Sequence, residues 1–320
     1  MARIDIGRTA FAGFSLIGRK PMALIGWALF IFVLGVLPAI GMAAALGSSM
    51  ADLMALGDTD PTPEQMMPFM STIYAGQAIL WLPGLLMRIM LAGAIFRAVL
   101  EPSQGRWAYL RLGMGEVMLA LVTICLGILL GMGALIWALI SFGVGAAVWQ
   151  ASHQAAIGVG VLFGLVLVVA FVWALLRFSL AAPMSLAERS FRLFESWSLT
   201  RGHVLSLLLV GVLLVITLLV LEAAVMAVLF GVIAGVAGVA IGAGGLAGFN
   251  EESIRAFFGQ PPETWMATLG PWVLAAGLVI SLVGAAAFVI TTAPWAEAYR
   301  QLRAPTAAPS PEAAADALAA

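Results

Sequence analysis

Six long apolar runs, separated by loops whose charge alternates in sign, constrain this chain more than any other feature. A spanning helix needs about 20 mostly apolar residues, because the hydrocarbon core is about 30 Å thick and a helix rises about 1.5 Å per residue. The runs fall at residues 22–46, 73–98, 117–146, 155–179, 204–233 and 271–294. Several exceed that minimum, so tilting or kinking is expected. They are continuous, whereas barrel strands alternate over about 10 residues, so helices are expected. Hydrophobic residues make up 63% of the 320 and charged residues 10%, more apolar surface than a soluble domain can hide. The expected fold class is all-α: a polytopic membrane bundle of six transmembrane helices with amphipathic surface helices.

The net charge of −1 hides an asymmetry. Arg3, Arg8, Arg19 and Lys20 precede the first run, and Arg97, Arg106 and Arg111 surround the second loop. Arg177, Arg189, Arg192 and Arg201 surround the fourth loop, and Arg300 and Arg303 follow the last run. The alternate loops carry Asp52, Asp58, Asp60 and Glu64, then no Lys or Arg, then Glu251, Glu252 and Glu263 against Arg255. The positive-inside rule places both termini in the cytoplasm, as a multi-pass protein of a bacterial inner membrane. The basic start of about 20 residues and the apolar run of about 25 exceed a cleaved signal, so an uncleaved first span is expected.

The pattern divides the chain into an interfacial helix at 1–21, a six-helix domain at 22–303 and a tail at 304–320. In the first segment Ile4, Phe11, Phe14 and Ile17 are set to face lipid, with Pro21 opening the first span. The Ala/Pro-rich tail lacks an apolar stripe and is expected to be disordered. Thr62, Pro63 and Gln65 predict a capping box and a short outer helix over 63–69. Asn250 to Gly259 predicts a second outer helix. Ser185 and Glu188 predict another capping box and one amphipathic surface helix over 186–197, with Phe191 and Phe194 toward the bilayer. Weakly similar motifs at 14–19, 109–113 and 197–202 precede the outward-going spans, as three repeated hairpins would.

The stretch Arg177 to Pro183, followed by Ser196-Trp197-Ser198-Leu199-Thr200-Arg201-Gly202-His203, resembles the membrane domain of some bacterial glycerophosphoryl diester phosphodiesterases and related six-span proteins. Tyr109-Leu110-Arg111-Leu112-Gly113 is similar in kind. The resemblance implies the six-span layout. In the phosphodiesterases the catalytic domain is a separate soluble barrel after the membrane region. A tail ending at residue 320 leaves no room for one, so phosphodiesterase activity is not expected.

The chain has two histidines, His153 and His203, expected on opposite sides of the membrane. The single Cys125 lies inside the third run, where a small packing role is expected. Zincin, nucleophile-elbow and phosphate-loop motifs are absent, and the spans hold no aspartate for an aspartyl intramembrane protease. No catalytic set, metal site or cofactor is expected. Glycines four apart (Gly127/Gly131, Gly160/Gly164, Gly231/Gly235, Gly238/Gly242) predict close helix contacts within the bundle.

Two ionisable residues stand within the spans, Arg88 and Glu222. Charge at that depth is costly and suggests a polar site. Counted from Arg97 and Val204, they sit about 13 and about 27 Å from the basic boundary, so a direct pair needs shifted helices or a bridging water. Arg177, Arg189, Arg192, Arg201 and His203 are candidate contacts for lipid headgroups. The leading expectation is a non-enzymatic inner-membrane scaffold or accessory protein. A small transporter or lipid-handling protein with an anion or headgroup site near Arg88 is the alternative. A lipid-phosphate enzyme comes third, with only Glu116, Glu188, Glu195 or His203 to serve as base. Expected partners are membrane lipids, then other membrane proteins; scattered arginines give nucleic acid no patch.

Overall fold

The computed structural model describes residues 4–54, 62–104, 107–241 and 262–303. Every regular element among them is helical. Six helices are long and apolar enough to cross a membrane: Pro21–Gly47, Pro63–Leu100, Met114–Trp149, His153–Glu188, Val204–Gly231 and Gly270–Arg303. The protein is a multi-pass, all-α membrane bundle. The expected outer helix after Asn250 and the 304–320 tail lie outside the described residues.

The chain opens on two short helices, α1 (Ile6–Ala10) and α2 (Ala12–Arg19), where one interfacial helix is expected. Asp5 caps the first, its carboxylate accepting from the Arg8 N–H. Phe11 and Phe14 stay exposed, but Ile4, Thr9, Ala12 and Leu16 are buried by the protein itself. The reason is a close helix crossing: a Cβ on Gly13 would collide with the backbone of Val289 and Ile290 in the last helix. The first span is α3 (Pro21–Ile31), a wider π turn at Phe32–Val36, and α4 (Leu37–Met54). Pro21 occupies the first turn, as expected. Pro38 explains the π turn, since its ring would press on a carbonyl four residues back in a regular helix.

The second span, α5 (Pro63–Leu100), starts on the expected capping box of Thr62 and Gln65. No separate outer helix ends near Phe69; the helix runs on for 38 residues through Pro68 and Pro83. Pro68 lies in the second turn, and the Ser71 and Thr72 hydroxyls donate to its carbonyl within the same helix. Spans three and four, α6 (Met114–Trp149) and α7 (His153–Phe178), pack as a hairpin. Cys125 is half-buried beside Val122 and Phe178.

The fourth loop departs most from expectation. The chain re-enters a helix at once, α8 (Ala181–Glu188), so Ser185 is buried inside it and caps nothing. Arg189 then turns left-handed (φ 52°) and stops the helix. The Arg192 N–H folds back to donate to Ser185 Oγ at 3.0 Å. A second short helix, α9 (Glu195–Leu199), follows. The expected single amphipathic helix is therefore two pieces joined by a tight return, with Phe194 still exposed. Spans five and six are α10 (Val204–Ile241) and α11 (Pro262–Arg303).

Asp5 donates its N–H to Gln301, and Arg300 donates to the Val99 carbonyl, so the start of the chain and the ends of α5 and α11 share one face of the bundle. We call this the basic end. The largest fully buried side chains, among them Trp27, Leu91, Ile95, Leu119, Leu180, Leu207 and Val289, all lie in the half of the bundle next to it. Small residues allow the close approach there: Gly93, Ala94 and Ala98 in α5, and Ala285, Ala293, Ala296 and Ala298 in α11 are buried. Toward the opposite end Trp81, Leu139, Phe142, Val161 and Val220 are exposed, while α4 still packs on α5, where a Cβ on Gly76 would collide with Met42, and Trp137 Nε1 donates to the Phe163 carbonyl at 3.0 Å between the third and fourth spans. Gly127, Gly131, Gly160, Gly164 and Gly231 face open space, so the expected glycine contacts are not made there. The side chains of residues 232–241 and all of residue 242 fall outside the description.

Candidate functional site

The basic end is built on three carboxylates, each held by arginines from another part of the chain. Glu116, at the first turn of α6, is ion-paired with Arg97 near the end of α5, and both are buried. Arg97 also donates to the Tyr109 carbonyl at 2.6 Å. Ala108 and Tyr109 are left-handed without being glycine, a conformation that costs about 1–2 kcal/mol per residue. Their two carbonyls are what hold it: Trp27 Nε1 donates to that of Ala108 at 2.7 Å, and Arg97 to that of Tyr109.

Glu297 on α11 is the second anchor, 4% exposed. It accepts from Arg8 at 3.1 Å, pairs with Arg300, and accepts from Gln301, which also donates to Thr9. These bonds clasp the N-terminal helices to the last span. Glu188 closes the third, accepting from Tyr299 Oη and Arg192 at 3.1 Å each, with Arg303 at 3.6 Å. Arg192 further binds Glu195 at 3.0 Å. The Glu195 carboxyl, outside the spans, is held below the ordinary glutamate range by its own backbone N–H and then by Arg192.

Three adjoining depressions of about 510, 420 and 240 Å³ mark this face. Tyr299 and Arg303 join the first two, and Glu101 joins the second to the third. Arg189 and Arg111 line the smallest, with Arg111 3.8 Å from Glu101.

The five candidate headgroup residues separate into two groups. Arg177 and Arg192 are engaged by the protein. Arg177 donates to the Trp197 carbonyl at 3.2 Å and lies over the rings of Trp173 and Trp197. Arg189 and Arg201 are exposed, and His203 is half-buried at the entry to α10. Sequence reading missed the structural use of Arg97 and Arg177. The signal was in the repeats: each ends a span running toward the basic end, and each donates to the carbonyl of the aromatic that opens the next motif, Tyr109 or Trp197.

Arg88 lies one turn beyond this packed region. Between Leu91 and Val99 every residue of α5 except Ala92 is buried, so α5 is the central helix there. Outward from Arg88, Ile79, Trp81 and Leu82 are about two-thirds exposed, while Gly76 is buried against Met42. Arg88 itself is exposed, with no polar partner among the described residues. Ala92, Ile95 and Val99 stand below it at four, seven and eleven residues, on one face of the helix, half-buried or buried. Ala92, one turn below Arg88, is the one residue between Leu91 and Val99 that is not buried. Beside Arg88 runs the π turn: a Cβ on Gly35 would sit 3.4 Å from Met87, and one on Gly277 would press on Val36 at 2.8 Å.

Glu222 is also exposed and unpaired among the described residues, a quarter-turn from the face of α10 that carries Val210, Leu214 and Leu221. Both α5 and α10 pack on α11, and the structure does not bring the two charges into contact. Arg88 lies beside the π turn, next to Met87 and Gly35, and Glu222 lies two turns past Leu214 on α10. No protein-family model, characterised protein or solved structure matches this chain.

Proposed function

We propose that this chain is a non-enzymatic, lipid-handling accessory protein of a bacterial inner membrane, with both termini in the cytoplasm. The observation that carries it is Arg88, a permanent cation within an apolar span, exposed on its helix and without a partner among the described residues. An unpaired guanidinium there costs about 2.5–3.5 kcal/mol on insertion scales, so it calls for an anion or water from outside the chain. The exposure of Arg88 lets the anionic group of an amphiphile reach it with the acyl chains left in the bilayer. The alternating loop charges support the orientation. Cysteines placed at Glu64 and Arg192 are expected to label from the periplasmic and cytoplasmic sides respectively; the reverse pattern inverts the topology.

The test of function is native mass spectrometry of the full chain after mild detergent extraction. Phospholipid adducts are expected on the wild type and lost on Arg88→Gln. A scaffold role is the second reading, favoured by the basic end, where Glu116, Glu188 and Glu297 are neutralised by the protein's own arginines. Adducts with another membrane protein, and no retained lipid, would decide for it.

A further inference from the structure

The smallest depression of the basic end, about 240 Å³, lies where the end of α5, the start of α6 and the stop of α8 meet. These three elements pack on one another in pairs. Buried Leu186 forms part of the lining, tightly held: a Cβ on Gly93 would sit 3.4 Å from its side chain, and one on Gly115 3.4 Å from its carbonyl. The charges of the lining are unequally spent. Arg97 and Glu116 are paired with each other and buried. Arg111 lies 3.8 Å from Glu101, beyond hydrogen-bond distance, and the buried Glu101 Oε2 accepts no hydrogen bond among the described residues. Arg189 is exposed, with no polar partner among the described residues. Arg97, Arg111 and Arg189 against Glu101 and Glu116 leave one positive charge in surplus. We infer that this cavity is a binding site for a phosphate group, held by Arg111 and Arg189. It is separate from Arg88 and stands without it.

The residue at position 189 supports a ligand role. Its backbone is left-handed (φ 52°), at a helix stop where glycine is the ordinary residue. An arginine there bears a steric cost, and no bond to a described residue offsets it. An anion held by the guanidinium would. Phosphate fits better than carboxylate. Arg111 and Arg189 reach the cavity from different elements, and both are free to turn toward a ligand. The start of α6 adds a third direction, since Gly113 has no side chain to cap the first N–H groups. A phosphate offers three acceptor oxygens, whereas the two oxygens of a carboxylate are served by one arginine fork. The volume lies below the roughly 300–1,000 Å³ of drug-sized pockets and suits a headgroup or a free phosphate. Leu112 and Met114, exposed next to Arg111, give acyl chains a surface beside the cavity. Because both arginines are open to water, the contact is screened and the ligand exchanges, unlike the lipid expected to co-purify at Arg88.

The test is thermal unfolding of the detergent-solubilised full chain at constant ionic strength, titrated with dihexanoyl phosphatidic acid or with inorganic phosphate. Wild type is expected to gain stability saturably from both, and none from potassium chloride. Saturation at lower concentration by the lipid assigns the site to headgroups; saturation by both alike assigns it to soluble phosphate. Arg189→Gly is expected to fold with a midpoint close to wild type, because it relieves the left-handed turn, yet to weaken binding roughly tenfold, the worth of one charge-assisted contact. Arg111→Gln is expected to weaken binding as much. Glu101→Gln, which releases Arg111 and removes a like charge from beside the ligand, is expected to tighten it. Arg88→Gln and Arg201→Gln, both outside the cavity, are expected to leave the response to inorganic phosphate in place. No saturable gain on the wild type overturns the site, as does wild-type affinity in Arg189→Gly. A response lost equally in Arg201→Gln and Arg189→Gly belongs to diffuse surface charge and overturns it too.

Discussion

The two ends of this bundle are built by different rules. At the basic end, Glu116, Glu188 and Glu297 each pair with an arginine from another segment, Arg97, Arg303 and Arg8 respectively, and alanines and glycines let α5 and α11 approach closely. At the other end the same helices carry Trp81, Leu139, Phe142 and Val220 on bare surfaces. Hydrophobicity does not distinguish the two, because lipid tails are as apolar as leucine and give helices little reason to associate. Small residues and polar contacts do, and they are gathered at one end. Arg88 stands just beyond that closely packed end.

The sharpest way to break this contrast is Glu116→Ala. It strands Arg97 in a buried site and is expected to cost about 3–5 kcal/mol in thermal or denaturant unfolding of the reconstituted protein. A cost near zero would show that the pair does not hold the basic end together. Next comes Gly13→Ala, which forces α2 away from Val289 and Ile290; overpacking of this kind costs about 1–3 kcal/mol. Cysteine crosslinking between α2 and α11 should weaken with it. Leu139→Ala, on an exposed stretch of α6 away from the basic end, is expected to change stability by no more than about 0.5 kcal/mol. A loss comparable to that of Gly13→Ala would mean that this stretch is covered in the membrane.

The smallest effect concerns Glu195. Its folded pKa lies below the ordinary 4.5, so its contribution is present above that value and lost as the pH falls through the lowered one. Glu195→Gln should flatten this slight acid-side loss of stability and leave neutral pH unchanged, since the group is exposed and screened. Unfolding midpoints measured across the acid range check it.

Particular elements show where sequence reading succeeded and why it stopped. The capping box of Thr62 and Gln65 and Pro21 at the first turn were legible because each signal involves residues a few positions apart. The end of that same α5 signal was misplaced, since nothing local after Pro63 distinguishes an outer helix from the first turns of a long span. Residues 186–197 read as one amphipathic helix because their apolar period is real. The helix starting earlier, at Ala181, and the Arg192 N–H returning to Ser185 decided otherwise. The glycine pairs of α6 and α7 had the right spacing but no neighbour to meet. At the candidate site, Arg88 and Glu222 stood out as charges in apolar runs, yet only the structure shows that neither finds a polar partner among the described residues.

By itself the sequence determined the class of environment, the number of spans and their alternation. These follow from the length of apolar runs and the placement of charge, which are properties of a linear chain. Only the tertiary structure decided which arginines are spent inside the protein and which are left over. Arg177 and Arg88 look alike along the chain, but one lies against Trp173 and Trp197 and the other has no polar partner among the described residues. The partner of a charge is set by the helix that packs beside it, and that choice rests on contacts between residues far apart in sequence.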